Sequence, residues 1–237
     1  MTDVLLVLLI AAGATAQGIS GIGFGLICGP VLVSSVGPTD GVRISVLFSA
    51  LINVGVLARE HAHVAWRSAL GLILPAVVAT PLLALALHEV PTRTAQVIAG
   101  LAALVGASTL AAGLRWPAAH SRPGMVGAAV ISAGMNDAAG IGGPAVALWA
   151  DNAGWGHDKT RSTLQVYFLA LNTVAMVTLG LPKQSGSRYG EMLAALVGGT
   201  VLGGVLSRRT PAALARKVTL ALAGAGGLVV LVRALIA

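Results

Sequence analysis

Charged side chains interrupt this chain so rarely that its apolar runs can be read off between them. No charged residue stands between Asp3 and Asp40, and further uncharged runs cover 44–58, 68–87, 94–114, 123–136, 162–182, 192–207 and 218–232. Several reach the ~20 residues that cross a bilayer as helix. The pattern predicts clean spans at about 43–58, 67–87 and 94–114, then at 162–181, 191–207 and 214–235. Each trio follows an apolar segment broken by glycine. In "AQGISGIGFGLICGP" (16–30) the glycines are Gly18, Gly21, Gly23, Gly25 and Gly29, with Pro30 behind them. As one helix, residues 4–37 would measure ~51 Å against a hydrocarbon core of ~30 Å. The segment is therefore expected to fold into two pieces, 4–17 and 24–37, with a second half-helix starting near Phe24 and its counterpart near Gly143.

The two halves of the sequence match at an offset of 118–120 residues. Gly21-Ile22-Gly23 recurs as Gly140-Ile141-Gly142, Asp40-x-x-Arg43 as Asp158-x-x-Arg161, and "FSALIN" (48–53) as "FLALN" (168–172). Pro91 returns as Pro211 and Gly106 as Gly226. Five matches in one order indicate duplication. The chain divides into a first transmembrane repeat (1–114), a basic linker "RWPAAHSRP" (115–123) and a second repeat (124–237). If the opening piece of each repeat is a hairpin or a pair of spans, the repeats have inverted topology with about five helical segments each. That arrangement collects ten Lys and Arg on one face and leaves five on the other, while eight simple spans split them eight to seven. Cytoplasmic loops carry the excess of basic residues, so the inverted arrangement with both termini outside is expected. The fold class is all-α, a polytopic membrane protein whose first segment pair in each repeat is broken at a glycine-rich motif.

Composition agrees. The chain has 237 residues, 56% hydrophobic and 10% charged, with a mean hydropathy of +0.88. A soluble domain has ~25% charged residues. The lipid bilayer is thus a partner, and a multi-pass location in the cell inner (plasma) membrane is expected. No basic segment precedes the first apolar run, so the first helix is expected to remain in the mature protein. A net charge of +7 scattered through short loops sets topology and does not point to nucleic acid. Cys28 is the only cysteine, which excludes an intrachain disulfide and suits a small buried side chain. His61, His63, His88, His120 and His157 lie in or beside short loops without ligand spacing, so neither a metal site nor a cofactor is expected. No oligomeric state is read from the sequence.

Non-helical backbone at membrane depth is tolerated where protein or a water-filled cavity satisfies it. Paired breaks in corresponding positions of two halves point to a transporter binding site. Helix N-termini attract anions, and glycine lets a ligand approach the backbone, so a small anionic substrate is expected. The glycines alone could equally serve close helix packing. Candidate binding residues are Gln17, Ser20, Gly21, Gly23, Phe24 and Gly25 at the first break and Asn136, Gly140, Gly142 and Gly143 at the second. Gln17 aligns with Asn136. Asn53 and Asn172, midway along their spans, either donate to an oxyanion or bond helix to helix. Asp137 is an acid within a membrane segment. It either carries a proton coupled to transport or caps the half-helix that follows. Arg43 and Arg161 lie one turn into helices expected to start at Asp40 and Asp158. They pair with those acids as caps, or each opens an anion-attracting vestibule on one side of the membrane.

"GISGIGFGLICGPVL" (18–32) and "GMNDAAGIGGPAVAL" (134–148) resemble the glycine-rich signatures that open the two halves of the sulfite exporter TauE/SafE family, also called the toluene-sulfonate uptake permease family. The resemblance covers essentially the whole chain. It implies a secondary transporter, an exporter by the family's character, of sulfite, thiosulfate, sulfoacetate or a related organosulfonate. The sulfur comes from the resemblance; the anion comes from the half-helices. Two departures mark this sequence: Phe24 interrupts the first glycine run, and Pro144 follows Gly143 directly. A Phe24 at the cavity is expected to narrow it or to stack on an organic group.

Two other classes stay open. The half-helices would also line a passive anion channel. "GISG" (18–21) superficially resembles an intramembrane serine protease, which needs a histidine base near Ser20; His61 and His63 lie in a loop, and the repeat has Ala139 opposite Ser20. No Gly-x-x-x-x-Gly-Lys-[Ser/Thr] occurs, so ATP does not drive this chain directly, and no enzymatic activity is expected.

Overall fold

A computed structural model describes residues 3–87, 90–114, 121–183, 187–207 and 209–236. His88, Arg115, His120 and Arg208, most of the expected linker and the side chain of Arg188 lie outside the described residues. The described chain is helical: α1 (Asp3–Ser20), α2 (Phe24–Val36), α3 (Pro38–Glu60), a 3-10 turn (His61–His63), α4 (Trp66–Leu87), α5 (Thr92–Ala112), α6 (Arg122–Ala139), α7 (Gly143–Asn152), α8 (His157–Leu179), α9 (Ser187–Leu206) and α10 (Ala212–Ile236). Helices α3, α4, α5, α8, α9 and α10 are long and apolar enough to cross a membrane, and they coincide with the six clean spans of the hydropathy pattern. The chain is a polytopic, multi-pass membrane protein.

Each half opens with a broken pair because a glycine ends the first helix in a left-handed turn. Gly21 has φ +81° and donates its N–H to the Gln17 carbonyl at 2.8 Å. Gly140 has φ +67° and donates to the Asn136 carbonyl at 2.7 Å, while the Ile141 N–H reaches back to Met135 at 3.3 Å. Only a residue without a Cβ enters this region at little cost, and the reverse bonds satisfy the last carbonyls of the helix. The chain restarts at Phe24 and at Gly143. Pro144 in the first turn of α7 gives up an N–H that has no intrahelical partner there. At the start of α6, the Ser121 side chain caps the helix by accepting from the Gly124 N–H at 3.2 Å.

Packing repeats between the halves with the partners exchanged. Helix α1 packs on α9 as α6 packs on α4; α2 packs on α10 as α7 packs on α5; α3 meets α8, and α5 meets α10. Corresponding helices run against each other. Arg43 near the start of α3 donates to the Leu179 carbonyl at the end of α8, 2.8 Å, while Arg161 near the start of α8 pairs with Glu60 at the end of α3, 2.9 Å. Likewise Arg93 at the start of α5 reaches the carbonyl of Ala234 near the end of α10, and Arg216 near the start of α10 reaches that of Leu110 near the end of α5.

Small residues bring some helices close. A Cβ on Gly18 would lie 3.0 Å from the Gly203 Cα, and one on Gly203 would meet the Thr15 carbonyl at 2.7 Å. These glycines serve packing, as small residues do between membrane helices. On the outside, Leu70, Leu74, Val78, Leu82 and Leu85 of α4 are each more than half exposed. A stripe at this spacing follows one helix face, and in a membrane its surroundings are lipid tails.

Candidate functional site

The two breaks meet. A Cβ on Gly25, in the first turn of α2, would run into the Gly140 carbonyl oxygen, and Gly143 packs against the Ile22 side chain. Between them lies a central cavity of about 30 Å³, bordered by Gly23, Gly25, Gly140, Gly142 and Gly143 and by four buried amides, Gln17, Asn53, Asn136 and Asn172. Ile22, Leu26, Ser49 and Phe168 complete the wall.

The amides form matched pairs. Gln17 Nε2 donates to Asn53 Oδ1 at 2.7 Å, and Asn136 Nδ2 donates to Asn172 Oδ1 at 3.3 Å; the partners are 36 residues apart in both pairs. Gln17 Oε1 also accepts the Phe24 N–H at 3.1 Å and so caps α2 from the preceding helix. Helix-to-helix bonding of Asn53 and Asn172 is thus present. It leaves Asn53 Nδ2 buried with no partner. A buried donor without an acceptor is costly, and this one belongs to a wall of the cavity beside the starts of α2 and α7. The first backbone N–H groups of a helix have no intrahelical acceptor, which adds positive potential from both sides.

Each break is also held by the other half. Ser45 Oγ on α3 donates to the Gly140 carbonyl at 3.3 Å, and Gln165 Nε2 on α8 donates to the Gly21 carbonyl at 2.7 Å. Ser45 and Gln165 were not among the sequence candidates. They stand 120 residues apart, as Phe48 and Phe168 do, so the repeat offset combined with polar residues inside uncharged spans was the signal available.

Several expectations need correction. Phe24 does not face the central cavity: its ring is fully buried against Phe48, with centroids 6.2 Å apart, because the first turn of α2 points glycine inward. Ser20 and Gly21 border a different, outer cavity, and the Ser20 hydroxyl is engaged with the carbonyls of Ala16 and Ile22. Asp40 and Asp158 are not caps; Gly37 and Gly156 hold those positions, without side-chain cap bonds, and the acids sit in the first turns of α3 and α8. Arg43 does pair with Asp40, at 3.1 Å. Arg161 pairs with Glu60 instead of Asp158 and also donates to the Gly18 carbonyl. Asp137 does not cap α7: it lies in the last turn of α6, neither carboxylate oxygen has a hydrogen-bond partner, and it borders a cavity other than the central one.

Two outer cavities flank the centre. One, of about 320 Å³, lies beside the start of α8 and is bordered by Arg161, His157, Thr160, Arg216, Ser20 and Ile22. Ile22 therefore stands between this cavity and the central one, which it also borders. The other, of about 100 Å³, lies beside the start of α3 and the end of α8 and is bordered by Asp137. His157 is the histidine that shares a cavity with Ser20, and no hydrogen bond joins them. Among the described residues no cluster of three or more His, Cys, Asp or Glu could hold a metal ion.

An all-helical membrane protein, duplicated, with two glycine-broken helix pairs closing on a small polar cavity, is the architecture of a transporter. The chain belongs to the sulfite exporter TauE/SafE family, whose model matches residues 5–232. Membership implies a membrane transporter of sulfur anions such as sulfite, which fits the expectation of no enzymatic activity. No curated protein and no solved structure matches the chain.

Proposed function

We propose that the protein is a secondary transporter of the inner membrane that exports a compact sulfur oxyanion, sulfite in the first place, by alternating exposure of the central cavity. The observation that carries this reading is that cavity: two helix starts, five glycines and four buried amides converge on it, with the Asn53 Nδ2 donor unpartnered. Preorganised donors of this kind suit an oxyanion. A volume of about 30 Å³ favours a small oxyanion over an extended organosulfonate, since such a space is near that of one or two waters.

The antiparallel course of α3 against α8 and of α5 against α10 supports reading the halves as inverted repeats, which in transporters rock about a fixed central site. The unequal outer cavities, about 320 against 100 Å³, support a conformer open toward Arg161, with Ile22 as the barrier. That face carries Arg59, Arg161, Arg209, Arg216 and Lys217 and on the positive-inside rule is cytoplasmic.

Counterflow in proteoliposomes tests this. Internal unlabelled sulfite is expected to accelerate uptake of labelled sulfite, saturably, and sulfite is expected to raise the melting temperature of the purified protein. A ligand at 100 times its Kd stabilises by about 2.7 kcal/mol. Flux without counterflow would mean a channel, and no flux or shift with sulfite would reject the substrate.

A further inference from the structure

Asp137 is 6% exposed, and neither carboxylate oxygen has a hydrogen-bond partner. It borders the smaller outer cavity together with Pro38, Thr39 and Val42 of α3, Leu87 of α4 and Leu179 of α8. An ionised carboxylate in such a place requires a counter-charge. Among the described residues, none of the helices packed on α6 supplies one here. On α3, Arg43 is taken by Asp40 and the Leu179 carbonyl, and Arg59 and Glu60 are at the far end. On α4 the basic residue is Arg67, in the first turn. On α5, Arg93 is held by the carbonyls of Ala234 and Leu235. On α7, Asp151 pairs with Arg216. On α8, His157, Asp158, Lys159 and Arg161 are at the opposite end from Leu179, and the Tyr167 hydroxyl donates to Ala129. On α2 the titratable group is Cys28, bonded to the Leu9 carbonyl. Among the described residues, no titratable side chain other than that of Asp137 borders this cavity.

The repeat shows what stands opposite. Residue 137 corresponds to residue 18 at the offset of 119 that relates Gly140 to Gly21. Beside the larger of the two outer cavities, Arg161 donates to the Gly18 carbonyl. The counterpart of Arg161 is Arg43, so the same reach in the other half brings the Arg43 guanidinium to residue 137, which is an acid. In the present conformer Arg43 does not make that reach.

We propose that the Asp137 carboxyl is a proton-binding site, and that it exchanges its proton for the Arg43 guanidinium when the two outer cavities exchange roles. The proposal rests on the alternating-exposure reading above. In the conformer open toward Arg161, Asp137 is a neutral acid. When the cavity beside α3 opens, the O–H bond breaks, the proton leaves to water in that cavity, and the carboxylate accepts N–H bonds from Arg43. No electrons move. A proton suits this site better than a metal cation because its described walls are mostly apolar, with the Thr39 hydroxyl the one other side-chain oxygen among the described lining residues.

The test reads conformation directly on the full chain in detergent. On a Cys28→Ala background, Val42→Cys reports opening beside α3, where Val42 is now buried, and Thr160→Cys reports the opposite cavity. Labelling by a bulky polar maleimide is measured from about pH 6 to about pH 8.5, each rate normalised to that of the same cysteine in denatured protein. One proton released per transition shifts the equilibrium by up to about tenfold per pH unit. With rising pH, Val42→Cys is therefore expected to label faster by up to that factor and Thr160→Cys more slowly. Asp137→Asn should leave Val42→Cys slow at every pH. Arg43→Gln, which keeps the acid and removes its partner, should keep it slow to higher pH than in the parent. A flat parent profile, or an unchanged profile in Asp137→Asn, would overturn the proton site. Sulfite counterflow separates the two readings: present with flat labelling, it rejects only the proton site; absent with Asp137-dependent labelling, it rejects only sulfite transport.

Discussion

At the first break Gln17 donates to Asn53 and Gln165 of the other half holds Gly21; at the second, Asn136 donates to Asn172 and Ser45 of the other half holds Gly140. One departure from this correspondence concerns an acid. Residue 18 is a glycine pressed against Gly203 of α9, while residue 137 is a buried acid beside a cavity. A pair of halves alike in every polar contact would give two conformers of equal energy and no dependence on any second ion. On the proposal above, the acid in one half breaks that degeneracy: duplication would supply the binding cavity and the difference between copies the bias.

The largest effect that would break the comparison is expected at its glycines. Gly140→Val places a Cβ against the Ser45 side chain at φ +67°. Backbone strain of this kind costs about 1–3 kcal/mol and the steric conflict adds to it, so expression of folded protein, read by size exclusion in detergent, should be lost. Gly21→Ala should also destabilise, because at φ +81° its Cβ meets Arg161 Cγ at 2.7 Å with Arg161 Cβ and Cα close behind, and the smaller side chain should make the loss less than for Gly140→Val. Next in size is Asn53→Leu. A hydrogen bond to a charged group contributes about 1.5–3 kcal/mol, so sulfite affinity, titrated by thermal shift, should fall about tenfold to a hundredfold while the fold is retained. Unchanged affinity would remove Asn53 from the site. Ser45→Ala and Gln165→Ala should each lower the melting temperature by a few degrees, since a buried carbonyl left without its donor costs about 1–3 kcal/mol. A loss in one variant and not the other would show that the two breaks are held unequally. The smallest effect is expected for Arg216→Gln at the rim of the larger outer cavity, where the pair with Asp151 is part exposed. Exposed pairs contribute about 0–1 kcal/mol; stability should hardly change, and the salt dependence of uptake should weaken.

Much of this was legible in the sequence because membranes leave few options. Uncharged runs gave the six long helices, and the break had to exist because residues 4–37 were too long for one crossing. The restarts at Phe24 and Gly143 followed from glycine placement. Nine of the twelve candidate binding residues border the central cavity. Three of the failures share a cause. A glycine-rich motif shows where a helix breaks but not which way each side chain turns after it, so Phe24 was expected at the cavity and is buried against Phe48, and Ser20 and Gly21 fall on the far side of Ile22. Contacts between the halves were equally hidden: Arg161 lies three residues from Asp158 in sequence, and only the approach of α8 to α3 reveals Glu60 as its partner. Ser45 and Gln165 escaped notice because their motif contains two more residues in the second half, which shifts the offset from 118 to 120.

The exchange of partners between the halves bears on how the molecule is made. Helix α1 finds its packing surface on α9, where Gly199 lies 184 residues further along the chain than Thr15, whose hydroxyl donates to the Gly199 carbonyl. During synthesis α1 enters the bilayer long before α9 exists, so its small-residue face, with Gly18 and the Thr15 carbonyl, waits in lipid or against a helper until most of the protein has emerged. Contacts so distant along the chain are slow to form. The central cavity, which depends on both halves, is thus one of the last features to be completed, and an unfinished chain has helices in the membrane but no pathway through it.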